Sequence, residues 1–270
     1  MDQLHKKIKK IIHAADGEWG IVIEDLNLKK KFSINEKQLF AAQSIIKVPI
    51  MAAVYEAYEQ GEFKLSDPLP LLREQLVGGA GVLQHFSPGT ELSIYDLVML
   101  MIIQSDNTAT NILIELVGFD RINQVMQAGG MKESRLKKKL MILPHTKEDV
   151  ENYISAEDIY IFYKNIANGK VVSGYSCLQM IEILKKQQFR NAIPYDLPEN
   201  DREIIGSIPE WELANKTGWD SNYQHDVGIL YVQDRSAIIT ALSKNAGAKV
   251  SLNIISKIGK EVYEYLKLVR

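Results

Sequence analysis

Apolar side chains near the start of the chain recur at Leu4, Ile8, Ile11, Ile12 and Ala15, the spacing of one helix face, and Asp16-Gly17 reads as the stop. Residues 19–26 are apolar and β-branched and residues 31–35 alternate, so two strands joined by a turn at 27–30 are expected. From Ser44 the period becomes helical through 45–58, with Gly61 near the end. Pro49 is tolerable there because the first N–H groups of a helix lack intrahelical partners. Residues 67–91 carry Asp-Pro, Gly-Gly-Ala-Gly and Ser-Pro-Gly-Thr and read as loop. Ser93 with Asp96 resembles an N-cap pair opening a helix to about residue 103, and further helices are predicted over 107–117, 120–128, 155–168 and 174–187. Ser155 with Asp158 is again cap-like. Residues 191–209 are irregular. Beyond them 211–216, 225–233 and 237–242 read as strands, the last two joined by a tight turn at Asp234-Arg235, and 250–268 as a closing amphipathic helix.

Strands segregated at both ends of a chain imply one antiparallel sheet built from both ends. The expected class is α+β: a five-stranded antiparallel sheet flanked by the terminal helices, with a large all-helical lobe inserted. Residues 1–270 then form a single domain with two lobes, 1–40 plus 205–270 carrying the sheet and 41–204 all-helical.

The 270 residues are 46% hydrophobic and 24% charged, with net charge −2, and a pI near 6.2. Acids and bases are balanced along the chain, so no nucleic-acid surface is expected. The run Lys137-Lys138-Lys139 reads as a solvated helix end or loop. The one cysteine, Cys177, lies in an apolar helical pattern and reads as a small buried hydrophobe. The five histidines show neither His-x-His nor His-Glu-x-x-His spacing, so no zinc site is expected. No apolar run has the length of a membrane span, and the basic start lacks the continuous apolar stretch of a signal peptide. The expected location is cytoplasmic if Met1 is the native start, and exported if a signal peptide was removed.

Three short motifs remain. Ser44-Ile45-Ile46-Lys47 places a hydroxyl and an amine on one face at a helix start, about 5–6 Å apart at Cβ. A lysine with a depressed pKa can take the serine proton there, and the helix N-terminus favours developing negative charge. Ser134-Arg135-Leu136-Lys137 repeats the pattern and looks accidental. Ser105-Asp106-Asn107 lies between two predicted helices, where a turn can point a hydroxyl and a carboxamide into a cleft or serve as an ordinary cap. Lys216-Thr217-Gly218 ends a predicted strand, where a cation, a hydroxyl and a glycine can receive a carboxylate at close range.

In this order and these contexts, the three motifs resemble those of class A serine β-lactamases and penicillin-recognising serine hydrolases. The flanking stretches Ser44-Ile-Ile-Lys-Val-Pro-Ile, Ser105-Asp-Asn-Thr-Ala-Thr-Asn-Ile-Leu-Ile and Asn215-Lys-Thr-Gly-Trp extend the likeness over roughly residues 15 to 270. The resemblance implies an acyl-enzyme on Ser44, with Lys47 helping to deprotonate it and Ser105 relaying a proton to the leaving nitrogen. It implies that Asn107 binds Lys47 and the substrate amide, and that Lys216 and Thr217, with Gly218 beside them, receive the substrate carboxylate. The N–H groups of Ser44 and Trp219 would form the oxyanion hole. It implies a small-molecule acyl donor, no cofactor, no metal and a monomer.

The pattern breaks at one place. Class A enzymes carry a Glu-x-x-Leu-Asn loop whose glutamate activates the deacylating water. Here 140–152 offers Glu148 and Glu151. Glu148 keeps the spacing to Asn152 but stands close to the next helix, and Glu151 replaces the leucine. Glu148 is therefore a candidate deacylation base, with a solvated acidic face as the plainer reading. Trp219 is bulkier than the small residue usual after the glycine. Three readings follow: a class A-like β-lactamase; a D-alanyl-D-alanine peptidase-like or esterase-like acyl hydrolase with slow deacylation; and a β-lactam sensor that stays acylated.

Overall fold

The computed structural model describes residues 1–141, 151–200 and 206–268. The amphipathic start forms α1 (Asp2–His13), followed by the hairpin β1 (Glu18–Asp25) and β2 (Lys30–Ile34) and a short strand β3 (Leu39–Ala41). A single 3₁₀ turn, Gln43–Ile46, leads directly into α2 (Lys47–Glu59). Pro49 is the third residue of α2, where the missing N–H costs no hydrogen bond.

The stretch read as loop holds β4 (Pro68–Pro70), which pairs with β5 (Glu91–Ser93). Three paired residues per strand, two of them prolines, leave no alternation for a sequence pattern to show. The helical middle follows as α3 (Ile94–Ile103), α4 (Asn107–Val117) and α5 (Phe119–Ala128). Ser93 caps α3, accepting from Asp96 N while Asp96 reaches back to Ser93 N. A short strand β6 (Tyr153–Ser155) pairs with β3 and runs into α6 (Ala156–Ala167), capped by Ser155, and then α7 (Gly174–Leu184).

The chain closes with β7 (Trp211–Trp219), β8 (Tyr223–Val232), β9 (Arg235–Lys244) and α8 (Ala248–Leu268). The turn between β8 and β9 is Gln233-Asp234, one residue earlier than expected, because Arg235 already pairs with Val232. β7 runs past the predicted end and contains the whole Lys-Thr-Gly motif.

The main sheet is antiparallel in the order β2-β1-β9-β8-β7. Alternation along the strands feeds two cores. Trp19, Ile21, Ile23, Leu213, Leu230 and Ile239 pack with α1 and α8. Val22, Ala214, Val227, Ile229 and Ile238 pack with the helical middle. α2 carries ten buried residues in thirteen and forms the centre of that second core. A helix apolar all round must be enclosed. Cys177 is buried there, and burial raises its thiol above the usual range.

Of the accidental motif, Ser134 is buried and donates to the Asp158 carboxylate, which also accepts from the N–H groups of Glu133 and Ser134. That serine ties a loop to α6.

Candidate active site

Ser44 sits inside the 3₁₀ turn and Lys47 is the first residue of α2. In 3₁₀ geometry residues three apart eclipse one another, so the turn aligns the hydroxyl and the amine more closely than an α-helix would. Ser44 lines a cleft of about 550 Å³ with Gln43, Asn107, Leu140, Glu151 and Trp219. Lys47 lies behind it, fully buried.

Lys47 Nζ donates to Ser105 O at 2.6 Å, Asn107 Oδ1 at 2.9 Å and Ser105 Oγ at 3.1 Å. Lys216, also fully buried, donates from Nζ to the same Ser105 Oγ at 3.1 Å and to Thr217 O at 2.8 Å. One serine hydroxyl thus bridges two buried amines brought from opposite ends of the chain. Two ammonium groups so placed disfavour each other and both resist burial. Burial, then Lys216, holds Lys47 well below the ordinary lysine range, against an opposing pull from Asp106. Burial brings Lys216 down to about 7, opposed by Asp226.

Ser105 reaches this position with φ of +54°, left-handed backbone that a non-glycine residue adopts at a cost and that packing must hold. Asp106 supplies part of the hold. It caps α4 by accepting from Ala109 N, and its other oxygen accepts from Val82 N and Leu83 N. The loop bearing these donors approaches so closely that a Cβ on Gly81 would lie 2.3 Å from the Asp106 carboxylate. Asn107, the first residue of α4, donates to Gly78 O at 3.1 Å, so its carboxamide joins the loop to Lys47.

Lys216, Thr217 and Gly218 lie on β7, an edge strand of the sheet. A Cβ on Gly218 would stand 2.9 Å from Ser44 N, so only glycine lets the strand lie this close to the serine. Asp220 N donates to Tyr223 O at 3.0 Å. The alternation of an antiparallel ladder therefore turns the Trp219 N–H away from β8, off the sheet edge. The Trp219 side chain lines the cleft mouth and meets Phe189 edge-on at 4.7 Å. Thr217 Oγ1 is buried with no hydrogen-bond partner among the described residues.

Glu148 lies outside the described residues. Glu151 lines the cleft and pairs with Lys138 at 3.1 Å, with both side chains about one-third exposed. Asn152 is 2% exposed, and its carboxamide is spent on the backbone of Lys137 and Lys138. Sequence reasoning missed Asn111 and Leu140. Asn111, one turn after Asn107 on α4, accepts from Leu140 N and donates to Leu140 O, both at 2.8 Å, and so pins Leu140 into the cleft wall. The i, i+4 spacing of the two asparagines was the available signal. Among the described residues no group of three potential metal ligands occurs, and no helix is long and apolar enough to cross a membrane.

With this geometry in place, the comparisons with known proteins are specific. Residues 3–266 match the model of the beta-lactamase enzyme family. Beta-lactamase VEB-1 of Pseudomonas aeruginosa is 23% identical over 98% of this chain and 90% of its own length. The crystal structure of a beta-lactamase from Sphaerobacter thermophilus DSM 20745 superposes with a TM-score of 0.88 at 30% identity, covering 99% of this chain and 98% of that one. A leucine-to-glutamate mutant of PBP-A, in an acyl-enzyme complex with penicillin-G, superposes at 0.86 with 22% identity, covering 100% of this chain and 98% of that one. The chain belongs to the beta-lactamase enzyme family.

Proposed function

We propose that the protein is a class A-like serine hydrolase that opens the amide of penicillin-type β-lactams through an acyl-enzyme on Ser44. The observation that carries this reading is the Ser105 hydroxyl set 3.1 Å from both the Lys47 and Lys216 amines, behind a cleft that Ser44 lines. Ser44 Oγ attacks the lactam carbonyl carbon and its proton passes to neutral Lys47, whose depressed pKa makes that form accessible. The carbonyl oxygen takes up negative charge against the Ser44 and Trp219 N–H groups, the second of which faces off the β7 edge. As the C–N bond breaks, the Lys47 proton moves through Ser105 Oγ to the departing nitrogen. Asn107 holds Lys47 in line and offers its amide to the substrate side chain. Lys216, charged below about pH 7, and the Thr217 hydroxyl, unpartnered among the described residues, receive the substrate carboxylate. Water then frees the acyl group from Ser44 and restores the enzyme.

A second reading, slow deacylation of the D-alanyl-D-alanine peptidase kind, draws support from Leu140. An apolar side chain pinned in the cleft wall offers no base for a water, and Glu151 is engaged with Lys138. The acyl-enzyme complex of the PBP-A mutant with penicillin-G shares this fold.

Intact-mass measurements after adding penicillin G test both. An adduct on the wild type, absent from Ser44→Ala, is expected. Its decay as hydrolysed drug accumulates supports turnover, and its persistence supports the second reading. No adduct and no drug consumption would overturn the assignment.

A further inference from the structure

The proposed chemistry leaves His225, a buried titratable side chain next to the site, unused. His225 is 2% exposed and lies directly opposite Gly218 in the β7–β8 ladder. Its Nε2 stands 2.9 Å from Ala41 O, three residues before Ser44. Its Nδ1 accepts from Ser243 N at 3.2 Å. With Nδ1 occupied as an acceptor, the ring's single hydrogen belongs on Nε2, which then donates to Ala41 O. Burial brings this ring down to about 4, so it is neutral under ordinary conditions, as one donor and one acceptor require. Phe40 and Tyr223 meet it edge-on at 6.1 and 5.7 Å and fix its plane.

We propose that His225 is a positioning residue that sets the distance between the segment bearing Ser44 and strand β7, and so the spacing of the two N–H groups that receive the oxyanion. The inference rests on the acyl-enzyme reading above. From the other side, Ala42 N donates to Asn152 O at 2.6 Å. The Ala41–Ala42 peptide is thus held between β8 and the segment before β6. A further tie, Gln43 Nε2 to Asp220 Oδ2 at 2.8 Å, lies at the exposed mouth, where water competes for both groups. The His225 contact is the buried one. The neighbouring gap between Gly218 of β7 and the turn bearing Ser44 has no slack, since one added carbon on Gly218 would meet Ser44 N at 2.9 Å. Displacement of reacting groups by about 1 Å can cost about a hundredfold in rate.

The test separates binding from chemistry. Pre-steady-state acylation by penicillin G gives a dissociation constant and an acylation rate constant for the wild type, His225→Phe and His225→Gln. Phenylboronic acid, which forms a tetrahedral adduct on a nucleophilic serine, reports the oxyanion geometry directly. In His225→Phe, which keeps the ring but loses both hydrogen bonds, acylation slows by about ten- to hundredfold. Boronate affinity falls by a similar factor, and penicillin binding stays within about twofold. His225→Gln, whose amide reaches as far as Nε2, restores most of both. Should His225→Phe not fold, His225→Asn replaces it, because its shorter amide cannot reach Ala41 O. Unchanged acylation and boronate affinity in a folded variant lacking the contact would overturn the proposal. So would losses matching only the fraction unfolded by circular dichroism. A wild type that forms neither adduct overturns the acyl-enzyme reading itself, a result distinct from both.

Discussion

The two walls of the cleft are built on different principles. Behind Ser44, Lys47, Ser105, Asn107 and Lys216 form a buried polar network in which each member is held by another. Elsewhere around the cleft, Leu140 is apolar and Glu151 is committed to Lys138. The first wall satisfies its polar groups at the cost of burying two amines: burial lowers both pKa values, and the nearby Lys216 lowers that of Lys47 further. The second contains no free carboxylate among the described residues that line the cleft. Acylation and deacylation need different equipment, and this contrast says they can be altered separately.

The largest effect is expected on the crowded wall. Lys47→Met should slow acylation by about a thousandfold, since positioned bases contribute about 10²- to 10⁴-fold; a quenched mass time course reads it. Acylation within tenfold of wild type would move the base elsewhere. On the second wall, Leu140→Glu places a carboxylate where Asn111 fixes the backbone, and should speed deacylation by about a hundredfold while leaving acylation nearly unchanged. Unaltered adduct lifetime would show that the wall does not limit turnover. Gly218→Ala tests the closeness of the walls' supports. Its new Cβ pushes β7 from Ser44 N, and acylation should fall about tenfold, with penicillin binding less affected.

The pH profile sharpens the comparison most gently. Neutral Lys47 becomes available as pH rises through its lowered pKa, so acylation climbs on the acid side. Lys216 is the cationic form below about 7 and loses charge above it, so capture of a carboxylate falls on the alkaline side. The charged fraction drops by about fivefold between pH 7 and 8. kcat/KM for acylation should therefore be bell-shaped, and Lys216→Arg should move the alkaline limb upward. A flat alkaline limb in the wild type would remove Lys216 from substrate capture.

Much of the fold was readable because periodicity and caps agree. α4 begins at Asn107 and ends at Val117 as the pattern predicts, and Ser93 and Ser155 cap the helices they announce. The short strand pairs β3 with β6 and β4 with β5 were not readable, because three residues cannot display a period of two. At the site, Ser44, Lys47, Ser105 and Lys216 were found as motifs, yet the bridging of two amines by one hydroxyl is a tertiary fact. Leu140 escaped for a further reason. A leucine looks like core anywhere, and only Asn111's grip on its backbone puts it in the cleft wall. His225 and Asn111 likewise act through backbone atoms, which carry no residue-type signature.

The pairing of β1 with β9 also bears on how the protein is made. Glu18 to Asp25 find their partners at Lys244 to Ala237, and Asn27 bonds Asp234 across 207 positions. The sheet that carries Lys216 cannot close until β9 has left the ribosome. Non-local pairing of this kind slows folding and leaves an early strand unpaired while synthesis continues. β1 and β2 must wait as a lone hairpin, which is marginal in water. On the proposed acyl-enzyme reading, competence to react with a penicillin is therefore a late event, and a covalent adduct would mark only those chains in which β1 has met β9.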